Sequence, residues 1–278
     1  MQLDPIAVSA GVRLESLGTT ASTNAEARLR AQQGDRGPLW ITAMEQTEGR
    51  GRRGRSWISP PGNLYATLLL SDPSSFENAP QLAFVAALAL RDAVILEVGA
   101  VAARLKFKWP NDLLLDGRKC AGILIEGEAT PEAGAQRRFI VVIGVGVNCR
   151  SHPSAAEGSG MVSPATDLAA HGATIAPEQL FARLSATICR RLAQWDRSRG
   201  FAAILADWLK DARGIGEPIT VRDGDTQIQG RFVGLDHAGQ LVLERADGGL
   251  TKIAAGDVFP FAMRGQSQGR DGALSRPG

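Results

Sequence analysis

Hydrophobic and polar positions along this chain switch between helical and strand periods, and the switches mark its elements. The polar run Ser22-Thr23-Asn24-Ala25-Glu26, with Thr23 and Glu26 at capping-box spacing, predicts a helix start, and the helix runs to about Gln33 before Gly34. Residues 40–45 and 63–70 read as strands. Residues 80–98 predict a buried helix. Its most apolar part, residues 82–96, is interrupted by Arg91-Asp92 and falls short of the ~18 to 20 apolar residues a membrane span needs. Leu113-Leu114-Leu115, the tight-turn pair Asp116-Gly117 and the run 121–126 predict a hairpin, and 139–147 is a further β-rich run. Two amphipathic helices follow, over 177–197 and 201–210. In the first, Leu180, Leu184, Ile188 and Leu192 repeat at helical spacing behind Pro177 at the first turn.

The pattern changes after Ala212-Arg213-Gly214. Residues 217–261 hold only short β runs, separated by turns at Asp223-Gly224, His237-Ala238-Gly239 and Asp247-Gly248-Gly249. That predicts a small antiparallel barrel or sandwich, close to the lower size limit for independent folding and expected to lean on the rest. The division expected is 1–213, 214–264 and a polar, glycine-rich tail over 265–278 that is expected to be disordered. Residues 151–163 are expected to form a surface loop.

Composition narrows the class. The chain has 278 residues, 44% hydrophobic and 22% charged, which is ordinary for a soluble globular protein. A net charge of +2 is too small to imply a generic polyanion partner. Cys120, Cys149 and Cys189 are widely spaced and form no CxxC or Cys/His pattern, so neither a disulfide framework nor a zinc site is suggested; free core thiols in a reducing cytoplasm are expected. The first ten residues lack a basic segment followed by an apolar one, so no signal peptide is expected.

Positive charge is concentrated instead in one segment. Between Gly49 and Arg55 four arginines alternate with three glycines, and Trp57 follows. Glycines let backbone approach a ligand, and arginines carry a permanent charge on a planar fork that fits carboxylates and phosphates. Such a loop repels itself unless an anion fills it. A solvated loop, a nucleic-acid patch and a localisation signal remain open on this segment alone. Further polar clusters accompany it: Ser22-Thr23-Asn24 at a helix N-terminus, Lys108-Trp109-Pro110-Asn111-Asp112 ahead of a strand, Arg118-Lys119 past a turn, and Gly144, Gly146 and Asn148 at a strand end. Each has a plain structural reading as a cap, a strand-entry turn, a hairpin tip or a close approach.

Taken in this order and spacing, the clusters closely resemble the biotin–protein ligase family. The resemblance is carried by Ser22-Thr23-Asn24, Glu45-Gln46-Thr47 with Gly49 to Arg55 and Trp57, Lys108 to Leu113, Arg118 to Leu124, and Gly144-Val145-Gly146-Val147-Asn148. It is strong over residues 18–148. It implies an α+β fold, with a mixed-sheet catalytic domain of the biotin/lipoate ligase type and a small C-terminal SH3-like β barrel. It also implies a cytoplasmic ligase, monomer or homodimer, that activates biotin with ATP to biotinyl-5′-AMP. The biotinyl group then passes to one lysine of a carrier such as biotin carboxyl carrier protein.

By the same resemblance Ser22, Thr23, Asn24, Gln46, Arg50, Gly51, Arg52, Lys119 and Gly122 would hold biotin. Arg52, Arg53, Arg55, Trp57, Lys119 and Asn148 would hold ATP and the adenylate, with Trp57 stacking on adenine. Lys119, Arg52 and Asp112 would carry the catalysis. Mg²⁺ is expected, with no residue assigned to it. A lipoate or octanoate ligase or transferase is the rival within the superfamily, and a nucleic-acid-binding module using the Gly/Arg loop is the rival outside it. Glu48 departs from the family pattern by placing a carboxylate beside the clamp, where it is expected to pair with Arg50 or Arg52. About 20 residues precede Ser22, too few for the helix-turn-helix domain of some relatives, so no sequence-specific DNA binding is expected. No membrane association is expected either.

Overall fold

The computed structural model describes residues 1–131, 137–154 and 164–260. The expected loop over 151–163 is therefore described only to residue 154, and the tail over 265–278 lies outside. Seven strands form one mixed sheet in the order β1-β2-β3-β7-β6-β5-β4. They are β1 (Arg13–Thr20), β2 (Leu39–Gln46), β3 (Leu64–Ser71), β4 (Leu105–Lys108), β5 (Asp112–Leu115), β6 (Arg118–Pro131) and β7 (Arg137–Val147). Only β1 and β2 run parallel; every other neighbouring pair is antiparallel. The edge strand β1 and a short helix α1 (Pro5–Ser9) carry too weak a pattern to be read from sequence.

Period-two alternation sorts the sheet's side chains onto two faces. Leu64, Ala66 and Leu68 of β3, with Val141, Ile143, Val145 and Val147 of β7, enter the main core. That core also holds α3 (Gln81–Glu97), α4 (Pro177–Trp195) and α5 (Phe201–Lys210). On the other face lies α2 (Thr23–Gln32), where Ala27 and Ala31 pack on Leu39, Ile41, Leu69, Ile140 and Val142. α2 covers only part of its face. Towards the end of β7 the residues on this side change from Ile140 and Val142 to Gly144 and Gly146, and the glycines leave an open floor. Among the described residues no helix is long and apolar enough to cross a membrane.

The C-terminal sheet has five strands in the order β11-β10-β9-β8-β12. These are β8 (Pro218–Asp223), β9 (Thr226–Leu235), β10 (Leu241–Glu244), β11 (Leu250–Ile253) and β12 (Asp257–Pro260), all antiparallel. Its hairpin turns fall at the predicted positions, and the sheet agrees with the expected SH3-like unit. Its inward residues Ile219, Val221, Phe232, Leu241 and Leu243 join the main core rather than forming a separate one. Gly239 in the β9–β10 turn lies against Phe84 and Phe201, so a Cβ there would come within 2.8 Å of the Phe84 ring. Trp109 Nε1–H donates to the Gly239 carbonyl (3.0 Å), fastening the C-terminal sheet to the turn between β4 and β5.

Candidate active site

A cavity of about 460 Å³ opens on the partly covered face, a size typical of sites for small organic ligands. Gly122 of β6 and Gly146 of β7 pair in register on its floor, with Leu124 and Gly144 one step along. The Trp57 ring lies on these glycines: a Cβ on Gly146 would sit 2.6 Å from Trp57 Nε1, and one on Gly122 would sit 3.2 Å from Cζ3. Trp57 Nε1–H is buried and has no hydrogen-bond partner among the described residues.

At one end of the cavity the groups are neutral. The first amide of α2, Thr23 N–H, donates to Gln46 Oε1 (2.9 Å), and the Thr23 hydroxyl donates to the same oxygen (3.1 Å). Gln46 Nε2 in turn donates to Ser59 Oγ (2.9 Å). The Thr67 hydroxyl donates to Asn24 Oδ1 (2.7 Å) and lies 2.8 Å from the Thr23 hydroxyl, while Asn24 Nδ2 donates to Glu126 Oε2 (2.7 Å). The predicted capping box does not form. Ser22 is the N-cap, without a side-chain bond to its helix, and Glu26 accepts from the Thr20 hydroxyl (3.0 Å) instead. The polar cluster reaches across to β2, β3 and β6, so tertiary partners replace the local cap. Ser22, Thr23 and Asn24 are nearly fully buried and still line the cavity.

The Gly/Arg segment closes on itself through Trp57 N–H to Gly49 O (2.8 Å) and Gly51 N–H to Arg55 O (2.7 Å). A Cβ on Gly49 would lie 2.3 Å from the Trp57 carbonyl, which explains that glycine. At the tip Arg53 and Gly54 take the left-handed conformation, at φ 58° and 70°. Arg52 Nη1 donates to Asn111 Oδ1 (3.2 Å) and to the Gly256 carbonyl (3.4 Å). Burial pushes the Arg52 guanidinium below its ordinary pKa, and the charge of Asp257 partly offsets this.

The other end is ionic. Lys119 Nζ lies 2.6 Å from Asp112 Oδ1, with both side chains largely covered, and 5.3 Å from the Trp57 ring centre. A register shift between Leu113 and Leu114 puts a bulge into the β5–β6 pairing. Cys120 and Ala121, neighbours in sequence, consequently both enter the main core, and Lys119 turns to the cavity side. Burial holds the Cys120 and Cys149 thiols up at about 12; both are free and in the core as expected, while Cys189 is free but only half-buried.

Lys108, opposite Asp112 in the β4–β5 pairing, also lines the cavity. Burial pulls its pKa down to about 8 from an ordinary 10.5; the charge of Asp112 resists this. Between those two values the unfolded chain binds the extra proton, so stability should rise with pH across that window. A Lys108→Met chain should melt higher than wild type at pH 7, and the difference should shrink by pH 10. A gain that grew with pH in calorimetric scans would contradict this assignment.

The structure brings Ser22, Thr23, Asn24, Gln46, Arg50, Gly51, Arg52, Arg55, Trp57, Asp112, Lys119, Gly122 and Asn148 to one cavity. Arg53 is the exception: it is not among the lining residues and reaches Asp223 Oδ1 at 2.6 Å. Nor does Glu48 pair with Arg50 or Arg52; among the described residues the loop's carboxylate partners are Asp223 and Asp257. Asn148 donates from Nδ2 to the Thr166 carbonyl (2.9 Å). Lys108 ends β4, Trp109 to Asn111 form the turn, and β5 follows from Asp112, so the cluster does stand ahead of a strand. Asp257 and Val258 escaped the sequence reading because nothing local marks them. Thr67 carried a signal, as a lone polar residue at an inward position of an apolar strand.

A cleft with neutral donors and acceptors at one end and fixed cations at the other defines a class: proteins that handle a small organic acid beside a phosphate. Comparison with known proteins names it. The family described as Biotin/lipoate A/B protein ligase matches residues 18–148, and the Biotin protein ligase C terminal domain matches residues 214–259. The chain is 44% identical over 244 residues to the biotin–[acetyl-CoA-carboxylase] ligase of Paracoccus denitrificans, covering 87% of this chain and 98% of that one. It is 32% identical to the same enzyme of Mycobacterium tuberculosis, covering 88% of each. The biotin protein ligase of Aquifex aeolicus, solved with biotin and ATP, superposes with a TM-score of 0.71 at 25% identity over 89% of this chain and 97% of that one. The chain belongs to the biotin protein ligase family.

Proposed function

We infer that this chain activates biotin with ATP and transfers the biotinyl group to a lysine of a carboxyl carrier protein. The observation that carries the reading is the two-ended cavity on a biotin-ligase fold, with Lys119 and Arg52 fixed at its ionic end. The ureido ring of biotin presents donors and an acceptor, and Ser22, Thr23 and Gln46 supply matching capacity without charge. Asn24 and Gly144 shape that end. Gly122 and Gly146 make room for flat groups on the sheet, and Trp57 already lies there.

In the first step a biotin carboxylate oxygen attacks the α-phosphorus of ATP, the bond to the β-phosphate oxygen breaks, and pyrophosphate leaves. Charge grows on the oxygens around phosphorus, where Lys119, Arg50 and Arg52 act as preorganised cations. In the second step a carrier lysine, as the neutral amine, attacks the acyl carbon and AMP leaves. Asp112 holds Lys119 in place throughout. The intermediate is a mixed anhydride, so the site must also keep water out. Magnesium would arrive with the nucleotide. Among the described residues no cluster of three or more metal-type side chains offers a cage, and Asp112 and Asp257 each already face a cation.

ATP–pyrophosphate exchange with biotin, lipoate, octanoate or no acid tests this. Exchange with biotin alone is the expected result. Exchange with lipoate or octanoate alone would move the chain to the sister chemistry. Strong nucleic-acid binding at physiological salt is not expected, because two of the loop's four arginines face aspartates of this same chain.

A further inference from the structure

The loop's four arginines divide by what they face. Arg50 and Arg52 line the cavity. Arg55 lines it too and donates to Asp257 Oδ2, whereas Arg53 lies outside the lining, donates to Asp223 Oδ1 (2.6 Å) and lies 3.8 Å from Asp257. Both aspartates belong to the C-terminal sheet, Asp223 at the end of β8 and Asp257 at the start of β12. The Arg222 and Gly256 carbonyls beside them accept from Arg53 (3.5 Å) and Arg52 (3.4 Å). The platform is stiff: Asp257 pairs with Arg222 in the sheet, and a Cβ on the preceding Gly256 would lie 2.5 Å from Val221.

We propose that Asp257 is a positioning residue, an internal anion that holds Arg55 and Arg53 and thereby keeps Arg50 and Arg52 aimed at the ligand. Four guanidinium groups within seven residues repel one another, and a loop without counter-charge would splay open. Burial pulls the Asp257 carboxyl upward, but the hydrogen bond from Arg55 and the charges of Arg55, Arg53 and Arg52 outweigh it. Asp257 therefore stays below the usual carboxylate range, ionised at neutral pH. Asp223 is largely exposed, so its pair with Arg53 is weak by comparison. The C-terminal sheet, which lines the cavity at Asp257 and Val258, thus acts on the chemistry through the loop it holds. Its effect should fall on retention of the acyl-adenylate, since a loosened loop admits water and lets the intermediate out.

The proposal rests on the ligase reading for its kinetic test, and a second readout does not need that reading. In the full-length chain loaded with biotin and ATP, Asp257→Asn should raise the release rate of biotinyl-5′-AMP about tenfold. The adenylation rate at saturating substrates should fall less than threefold, and Asp223→Asn should change release less than twofold. Arg55→Asp alone should release the adenylate at least as fast as Asp257→Asn, and combining it with Asp257→Arg should return release to within threefold of wild type. Without any ligand, Asp257→Asn should speed tryptic cleavage after the loop arginines severalfold. Wild-type release and cleavage in Asp257→Asn would overturn the proposal. A lowered melting temperature with unchanged release would overturn it too, as a merely structural contact. If wild type makes no adenylate from biotin, the ligase reading fails, and the cleavage assay still decides whether Asp257 holds the loop.

Discussion

Replacing Lys119 by alanine should slow adenylate formation by about two to three orders of magnitude, the usual effect of removing one preorganised group that meets developing charge. The Lys119 ammonium is held at 2.6 Å from Asp112 and over the Trp57 ring, so its position is set before any ligand arrives. No reorganisation is needed at the moment of reaction. The substitution also leaves Asp112 as a largely covered carboxylate without its cation, which should cost about 1–3 kcal/mol of stability. Lys119→Ala combined with Asp112→Asn should recover most of that stability and none of the rate. Quenched-flow measurement of biotinyl-5′-AMP in one turnover, with circular dichroism and thermal melting on the same samples, checks each part. A Lys119→Ala chain that forms adenylate within tenfold of wild type would remove Lys119 from the catalytic role.

Gly144→Ala should have the second-largest effect, and on a different parameter. A Cβ at this position would lie 2.3 Å from Asn24 Oδ1 and 3.1 Å from Nδ2. Asn24 cannot move cheaply, because Thr67 and Glu126 hold its amide from two sides at 2.7 Å each. Relieving the clash would break those bonds and shift the start of α2, carrying Ser22 and Thr23 away from Gln46. The expected result is a loss of about 1–3 kcal/mol in stability, typical of overpacking. The KM for the acid should rise at least tenfold, with a smaller change in kcat. Gly122→Ala is the internal comparison: its Cβ would meet the flexible end of Lys119 and the Trp57 ring at 3.2 Å. Its effect on acid binding should be several-fold milder. If both variants raised the KM equally, the rigid-neighbour argument would fail.

Much of the site was legible because its residues come in short runs. Each run sits where two elements meet, at the start of α2, in the loop after β2, at the β4–β5 turn, after the β5–β6 turn and at the end of β7. Backbone connectivity delivers neighbouring residues of such a run to one place. The two misplaced expectations about the clamp share a cause. Glu48 and Arg53 are adjacent to the clamp in sequence, and adjacency suggested shared work. The left-handed turn at Arg53 and Gly54 sends Arg53 outward to Asp223, and Asp257 supplies the carboxylate sought in Glu48.

What the chain by itself determined is its inventory: helices and strands over most of their lengths, a change to short β runs near residue 214, and the set of polar clusters with their chemistry. These follow from period, capping and turn residues, which act over a few positions. Which face each cluster occupies was decided only in three dimensions. The bulge between Leu113 and Leu114 turns Lys119 from core to cavity, and the sequence does not announce it, because nothing local marks Cys120 as the extra residue. The glycines of β7 become a floor because α2 begins over Gly144, where Asn24 lies, and leaves Gly146 to the Trp57 ring. Asp257 reaches the loop across 202 residues because the C-terminal sheet shares the main core and is held against it. Local physics made the parts, and long-range burial chose their partners.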